Sequence, residues 1–83
     1  MTDDSASPEL LRAWRTALER AGAVAQQVVG LSLHDANELA GQSGCELREV
    51  RRDGRAFAIR GDFRTSRISV ETEGGVVATA TVG

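Results

Sequence analysis

The apolar residues of this chain recur at helical spacing in its first half and at strand spacing in its last third. Intervals of three and four residues predict a helix over residues 8–21, with Ser7 as its N-cap and Gly22 as its end. The predicted apolar stripe comprises Leu10, Leu11, Trp14, Ala17, Leu18 and Ala21. We expect Trp14 to anchor this helix on the rest of the domain, because an aromatic ring on such a stripe usually packs against the core.

A second helix is predicted over residues 33–43. Ser32 is its expected N-cap, Asp35 lies near the capping-box position, and Gly44 follows as a terminator. Its apolar face consists of Leu33, Ala36, Leu39 and Ala40. The apolar stretch between the two helices, residues 23–31, is expected to be extended or irregular.

The last third of the chain predicts an antiparallel hairpin. Ile68 and Val70 alternate with polar residues in a predicted strand at residues 67–72. Residues 76–82 alternate strictly, and residues 73–75 contain the two glycines of a tight turn. The apolar face of the final strand is expected to comprise Val76, Ala78, Ala80 and Val82.

A long connection precedes this hairpin. Residues 46–52 are interpreted as a strand despite imperfect alternation, and Asp53-Gly54 is a turn signal. Residues 55–66 have only weak strand character, and connections of that length in a small domain are commonly functional. We therefore expect an exposed segment that ends where the strand at Arg67 begins.

Composition narrows the class of protein. The chain has 83 residues, which form one small domain, and its two Phe, one Trp and no Tyr leave a core of mainly Val, Leu, Ile and Ala. The single Cys45 cannot form an internal disulfide, and one His with one Cys falls short of a zinc ligand set. No cofactor is expected. Without a visible secretory signal or membrane span, the chain is expected to be cytoplasmic, or extracellular if processed or exported by another route.

Arginines are concentrated in the middle of the chain. Residues 46–67 contain seven arginines and four acidic residues, whereas residues 1–45 contain three and six. The interleaved acids favour a solvated strand face over a nucleic-acid interface. Residues 60–62 spell the Arg-Gly-Asp tripeptide that integrins recognise, for which a turn is the simpler interpretation. His34 and Cys45 lack a third orienting group, so we do not expect an enzyme.

The sequence from Val28 onward resembles potato inhibitor type I and its bacterial peptidase-inhibitor relatives. The shared features are VVGLSLHDANELA, a following strand and long loop, DFRTSRISV, and VVATATVG. The resemblance implies a small α+β domain at residues 23–83, in which one helix packs on a short mixed sheet. Residues 1–22 would add a tail and an N-terminal helix. An exposed loop would dock in a serine protease with little loss of entropy, and a monomer is expected.

The resemblance also implies roles for individual residues. Gly61 corresponds to the residue before the scissile bond and Asp62 to the residue after it. Arg67 corresponds to an arginine that hydrogen-bonds the loop through its planar guanidinium. The expected loop supports are Arg64, Arg67 and Ser69. The expected reactive loop comprises Ala58, Ile59, Arg60, Gly61, Asp62, Phe63 and Arg64.

Two departures from the family leave the target open. Plant members carry a second supporting arginine where this chain has Ser69, and the specificity residue, here Gly61, is usually large or hydrophobic. Either a protease with a small pocket, as in elastase-like enzymes, reads Gly61, or a trypsin-like protease reads Arg60 at an Arg60–Gly61 scissile bond, or inhibition has been lost. The expected partner is thus a subtilisin-, elastase- or trypsin-like serine protease. We predict a serine protease inhibitor; the alternative is a non-inhibitory interaction or scaffold module that binds another protein.

Overall fold

A computed structural model describes residues 8–83 as two helices followed by a four-stranded sheet. The elements are α1 (Pro8–Val28), α2 (Leu33–Gln42), β1 (Glu46–Arg52), β2 (Arg55–Ala56), β3 (Arg67–Glu73) and β4 (Val76–Val82). The strand order is β2-β1-β3-β4, with β1 and β3 parallel and the other neighbours antiparallel. The predicted α+β domain with a mixed sheet is confirmed. The predicted cap at Ser7 lies outside the described residues.

The core lies between the two helices and one face of the sheet. It consists of Ala21, Val24, Ala25 and Val28 of α1, Ala36 and Ala40 of α2, Ile68 and Val70 of β3, and Val77 of β4. Because side chains alternate across a strand, Arg67 and Ser69 lie on the other face of β3. One face of this strand therefore builds the core and the other is available to support a loop.

Helix α1 is longer than the sequence analysis predicted. The expected end at Gly22 is wrong, and the extended or irregular segment expected at residues 23–31 is wrong over residues 23–28, because the helix continues to Val28. Val24 and Val28 are buried in the core. This burial outweighs the roughly 1 kcal/mol by which glycine disfavours a helix interior relative to alanine. The chain leaves the helix before Gly30, whose φ of 90° suits glycine.

The first part of α1, residues 8–20, projects beyond the core and is called the projecting segment below. Trp14 is 54% exposed and Leu11 is 53% exposed, so the expected packing of Trp14 on the domain is wrong. Burial becomes complete only at Ala21. The radius of gyration, 14.6 Å, exceeds the value of about 12 Å expected for a compact domain of this size. Neither α1 nor α2 combines the length and the apolar composition needed to cross a membrane.

Helix α2 confirms the predicted cap. The Ser32 hydroxyl accepts a hydrogen bond from the Asp35 backbone N–H at 3.1 Å. Ala36 and Ala40 of the predicted apolar face are buried. The helix therefore begins where its local sequence requires and is held by the side that faces the sheet.

Strand β4 contains a bulge that the sequence analysis missed. Ala78 is an extra residue between the pairs that Val77 and Thr79 form with β3. An extra residue reverses the alternation of faces, so Val77 is buried whereas Val76 and Ala78 are exposed. The predicted apolar face is therefore wrong at Val76 and Ala78, but right at Ala80, which packs against the core.

The connection between β1 and β3 consists of the short strand β2 and an irregular, largely exposed loop at residues 57–66, called the loop below. Parallel strands need a long crossover of this kind. At the start of the loop, the Phe57 N–H donates to the Val50 carbonyl at 3.0 Å. At its end, the Glu46 N–H donates to the Ser66 carbonyl at 2.8 Å. Both ends of the loop are thus anchored to β1.

Candidate functional site

Three arginines surround Asp62 in the loop. The Nη2 atom of Arg67 donates to the Asp62 carbonyl at 2.8 Å and to its Oδ1 atom at 3.2 Å. Nη1 of Arg48 lies 3.3 Å from the same Oδ1, and Nε of Arg64 lies 3.6 Å from Oδ2. A planar guanidinium can bind a carboxylate and a carbonyl together. These contacts fix both the side chain and the backbone of the loop at Asp62.

Arg48 is a site residue that the sequence analysis missed. It lies opposite Ser69 in the parallel pairing of β1 with β3. Its Nη1 atom donates to the Arg60 carbonyl at 3.0 Å, and its Nε and Nη2 atoms donate to the Ser69 hydroxyl at 3.3 and 3.2 Å. The second guanidinium therefore reaches the loop from the neighbouring strand. Ser69, an expected loop support, acts on the loop indirectly by orienting Arg48.

The carbonyl of Gly83 binds the same side chains from the opposite side. It accepts hydrogen bonds from Arg67 Nε at 3.3 Å, from Arg48 Nη2 at 3.4 Å and from the Ser69 hydroxyl. The Gly83 N–H donates to the Arg67 carbonyl at 2.7 Å. A Cβ atom on Gly83 would lie only 3.0 Å from Cδ2 of Phe63, so the loop also packs directly on this glycine. The end of β4 thus limits the motion of both arginines.

The electrostatics of the cluster favour an ionised Asp62. Hydrogen bonds from Arg67 are the largest cause that lowers the pKa of the Asp62 carboxyl, and the positive charges of Arg67 and Arg48 act in the same direction. Arg67 is itself only 6% exposed. Within residues 8–83, every buried side-chain nitrogen or oxygen has a hydrogen-bond partner. The cluster is therefore fully satisfied, which favours a single arrangement of the loop.

The backbone around Gly61 is held from behind on both sides. The Arg60 carbonyl accepts from Arg48 and the Asp62 carbonyl accepts from Arg67. Neither arginine donates to the intervening Gly61 carbonyl. The φ of Gly61 is not in the left-handed region, and a Cβ atom there would meet nothing within 4 Å. Position 61 can therefore carry any side chain, directed into open space.

The other expected loop residues are exposed. Ile59 is 46% exposed and Phe63 is 60% exposed, while Ala58 and the side chain of Arg60 also face solvent. At the start of the loop, the guanidinium of Arg52 lies 5.5 Å from the ring centroid of Phe57. The loop therefore presents apolar side chains to solvent while its polar backbone groups contact the sheet.

His34 and Cys45, the two residues considered above for catalysis and metal binding, have simple local surroundings. Nε2 of the exposed His34 lies 3.5 Å from Oε2 of Glu38, and one side-chain ligand atom from each of His34, Asp35 and Glu38 lies within 4.8 Å of the others. All three side chains are on the exposed first turns of α2. Cys45 is half-buried, with its thiol 3.8 Å from the Ser43 carbonyl. We assign no chemistry to these residues.

Comparison with known proteins adds no relative. No protein-family model, curated protein or solved structure matches this chain. The likeness to potato inhibitor type I therefore remains a prediction from sequence motifs. The contacts around Asp62 and Gly61 are the structural basis for a function.

Proposed function

We propose that this protein inhibits a serine protease by presenting the loop as a rigid substrate. The observation that carries the proposal is the pair of hydrogen bonds that hold the Arg60 and Asp62 carbonyls inward on either side of Gly61. We infer that the intervening Gly61 carbonyl, to which neither arginine donates, faces outward, as a substrate carbonyl must do to enter an oxyanion hole. A loop already fixed in this form loses little conformational entropy when it docks.

The same contacts explain why such a loop would inhibit and not simply be cut. After attack at Gly61, the amine of Asp62 becomes the leaving group. Asp62 is held by Arg67 through its carbonyl and its carboxylate. The leaving group therefore stays beside the acyl-enzyme, where it hinders the approach of water and delays release of the product.

The geometry favours the Gly61–Asp62 bond over the Arg60–Gly61 bond as the reactive one. To place the Arg60 carbonyl in an oxyanion hole, the protein would have to break its 3.0 Å hydrogen bond from Arg48. The Gly61 carbonyl requires no such rearrangement. A glycine before the reactive bond suits a protease with a small or unselective primary pocket, which means an elastase-like or subtilisin-like enzyme and not a trypsin-like one.

Titration against subtilisin-, elastase- and trypsin-like proteases, with substitutions at position 61, tests this proposal. A leucine side chain buried in a specificity pocket is worth about 2 kcal/mol, or on the order of 30-fold in affinity. Gly61→Leu should therefore strengthen inhibition of the subtilisin-like enzyme by that factor, and Gly61→Arg should create inhibition of the trypsin-like enzyme. Arg60→Ala is the matched control and should change neither.

Two different results would contradict the proposal. If neither the folded wild type nor any position-61 variant inhibits any of the three enzymes, the proposed inhibitor function is wrong. The alternative, a non-inhibitory interaction module, then gains support, and the missing side chain at Gly61 is the observation that favours it. If inhibition of the trypsin-like enzyme disappears in Arg60→Ala, the scissile bond is Arg60–Gly61 instead.

A further inference from the structure

We propose that the projecting segment of α1 pairs with the same segment of a second copy of this chain, as two antiparallel helices related by a two-fold axis. Leu11 and Trp14 continue the apolar stripe that Ala21 and Ala25 place in the core, yet each is more than half exposed. The stripe is therefore longer than the domain that covers it. No residue of the loop takes part, so this proposal is independent of protease inhibition.

The length of the projecting segment sets the alignment of the two helices. In an antiparallel pair, overlap is greatest when Pro8 of one copy reaches Ala21 of the other, where the helix enters the core. This alignment places Leu11 opposite Leu18 of the second copy. It also places Trp14 beside Arg15 of the second copy, a pairing that allows a cation–π contact.

Charge supports the same alignment independently. Glu9 and Arg20 are separated by three helical turns, because an α-helix has 3.6 residues per turn, so both lie on one flank of the stripe. Antiparallel helices bring like flanks together, and this alignment places Glu9 of each copy opposite Arg20 of the other. Among residues 8–83, neither of these side chains forms an ion pair within the chain. A parallel pair would instead bring opposite flanks together at the same height, so Glu9 would not meet Arg20.

The pairing surface is small, so the dimer should be weak. A segment of three to four turns extends about 20 Å and buries less than the roughly 1,600 Å² of a standard interface. We therefore expect a dissociation constant in the micromolar range or above. This inference departs from the monomer that the sequence analysis gives with the family resemblance.

Sedimentation equilibrium and tryptophan fluorescence on the full chain test the pairing. Trp14 is the only tryptophan, so its emission reports directly on this surface. We expect a shift from monomer to dimer with rising concentration, and a shift of the Trp14 emission to shorter wavelength over the same range. A protein that stays monomeric to about 1 mM, with unchanged emission, would overturn the proposal.

A charge exchange tests the antiparallel alignment. Glu9→Arg and Arg20→Glu should each weaken self-association by on the order of tenfold, because two attractive pairs per dimer become repulsive. A mixture of the two variants should recover it, since each then provides the charges that the other lacks. Glu19→Arg, on the opposite side of the helix, is the control and should have no effect. Association that neither flank variant changes would refute this pairing.

Discussion

The loop and the projecting segment are both exposed, but different interactions hold each of them in a single conformation. The loop has no regular backbone pairing of its own and is held by Arg48 and Arg67, which reach it from the sheet. The projecting segment has the internal hydrogen bonds of a helix, but Leu11 and Trp14 lie beyond the core. Exposure alone therefore does not decide whether a region has one conformation; the source of its hydrogen bonds does.

The two regions consequently suit different kinds of recognition. The loop presents a fixed backbone shape, because side chains from two strands and the carbonyl of Gly83 converge behind it. The projecting segment presents apolar area on a regular helix. Fixed shape favours docking in a narrow cleft, whereas apolar area favours association with another helix.

The largest effect on cleavage of the loop is expected from Arg67→Ala. Without this side chain, the loop should be cut as an ordinary flexible substrate is. Hydrogen bonds to charged groups contribute roughly 1.5–3 kcal/mol each, and Arg67 makes several such contacts to Asp62. We expect the loop to open on the order of 100-fold more often, while the helices stay folded. The rate of cleavage within the loop by a subtilisin-like protease measures this change, with circular dichroism to monitor the fold.

Arg64→Ala is the matched control for this experiment. Arg64 also contacts Asp62, but at 3.6 Å and with its side chain 58% exposed. An exposed ion pair of this kind contributes little to stability, so cleavage should accelerate less than about threefold. Equal acceleration in the two variants would show that the strand arginine has no special role.

A second prediction compares the two ends of α1. Val28 is fully buried and Trp14 is 54% exposed. Val28→Ala should lower the free energy of unfolding by about 2 kcal/mol through the loss of buried methyl groups. Trp14→Ala should lower it by less than about 0.5 kcal/mol in dilute solution. Chemical denaturation measures both, and a larger effect at Trp14 would mean that this ring packs on its own domain after all.

The smallest effect concerns pH and the charge of Asp62. The folded protein holds the pKa of this carboxyl below its usual value, chiefly through hydrogen bonds from Arg67. The unfolded state therefore binds the proton more readily, and the stabilisation is complete above the unfolded pKa of about 4. It is lost as pH falls through the lowered folded value.

Asp62→Asn separates the contribution of the Asp62 charge to stability from the contributions of other carboxyls. Glu49 is one of these, because a hydrogen bond from Arg52 also lowers its pKa. Thermal unfolding of both proteins should show a constant difference in Tm from pH 7 to about pH 5. The difference should then close at lower pH. A gap that persists to pH 2 would mean that Asp62 acts through the shape of its side chain and not through its charge.

Local patterns in the sequence predicted most of the helices and strands, because caps, turns and alternation are short-range signals. Ser32 and the strand that begins at Arg67 are examples. The predictions were wrong where contacts between residues distant in sequence outweighed these local signals. Gly22 ends a helix in isolation, but burial of Val28 extends it, and the position of Trp14 depends on how far the core reaches along α1.

The candidate site was only partly predictable for the same reason. Asp62 and Arg67 are close in sequence, and the motif that contains them indicated their contact. Arg48 is distant from both and becomes their neighbour only through the parallel pairing of β1 with β3. No local pattern in β1 distinguishes Arg48 from the adjacent charged residues.

The bulge at Ala78 changes the register of β4 relative to β3. If β4 paired regularly from the same turn, with Ala78 opposite Glu71, Val82 instead of Gly83 would lie beside Arg67. Gly83 is the residue whose carbonyl binds both strand arginines and whose missing side chain leaves room for Phe63. The bulge at Ala78 therefore sets the register that places Gly83 beside Arg67, although it lies far along β4 from both. The register of β4 is thus part of the support of the loop, together with the guanidinium groups of Arg48 and Arg67.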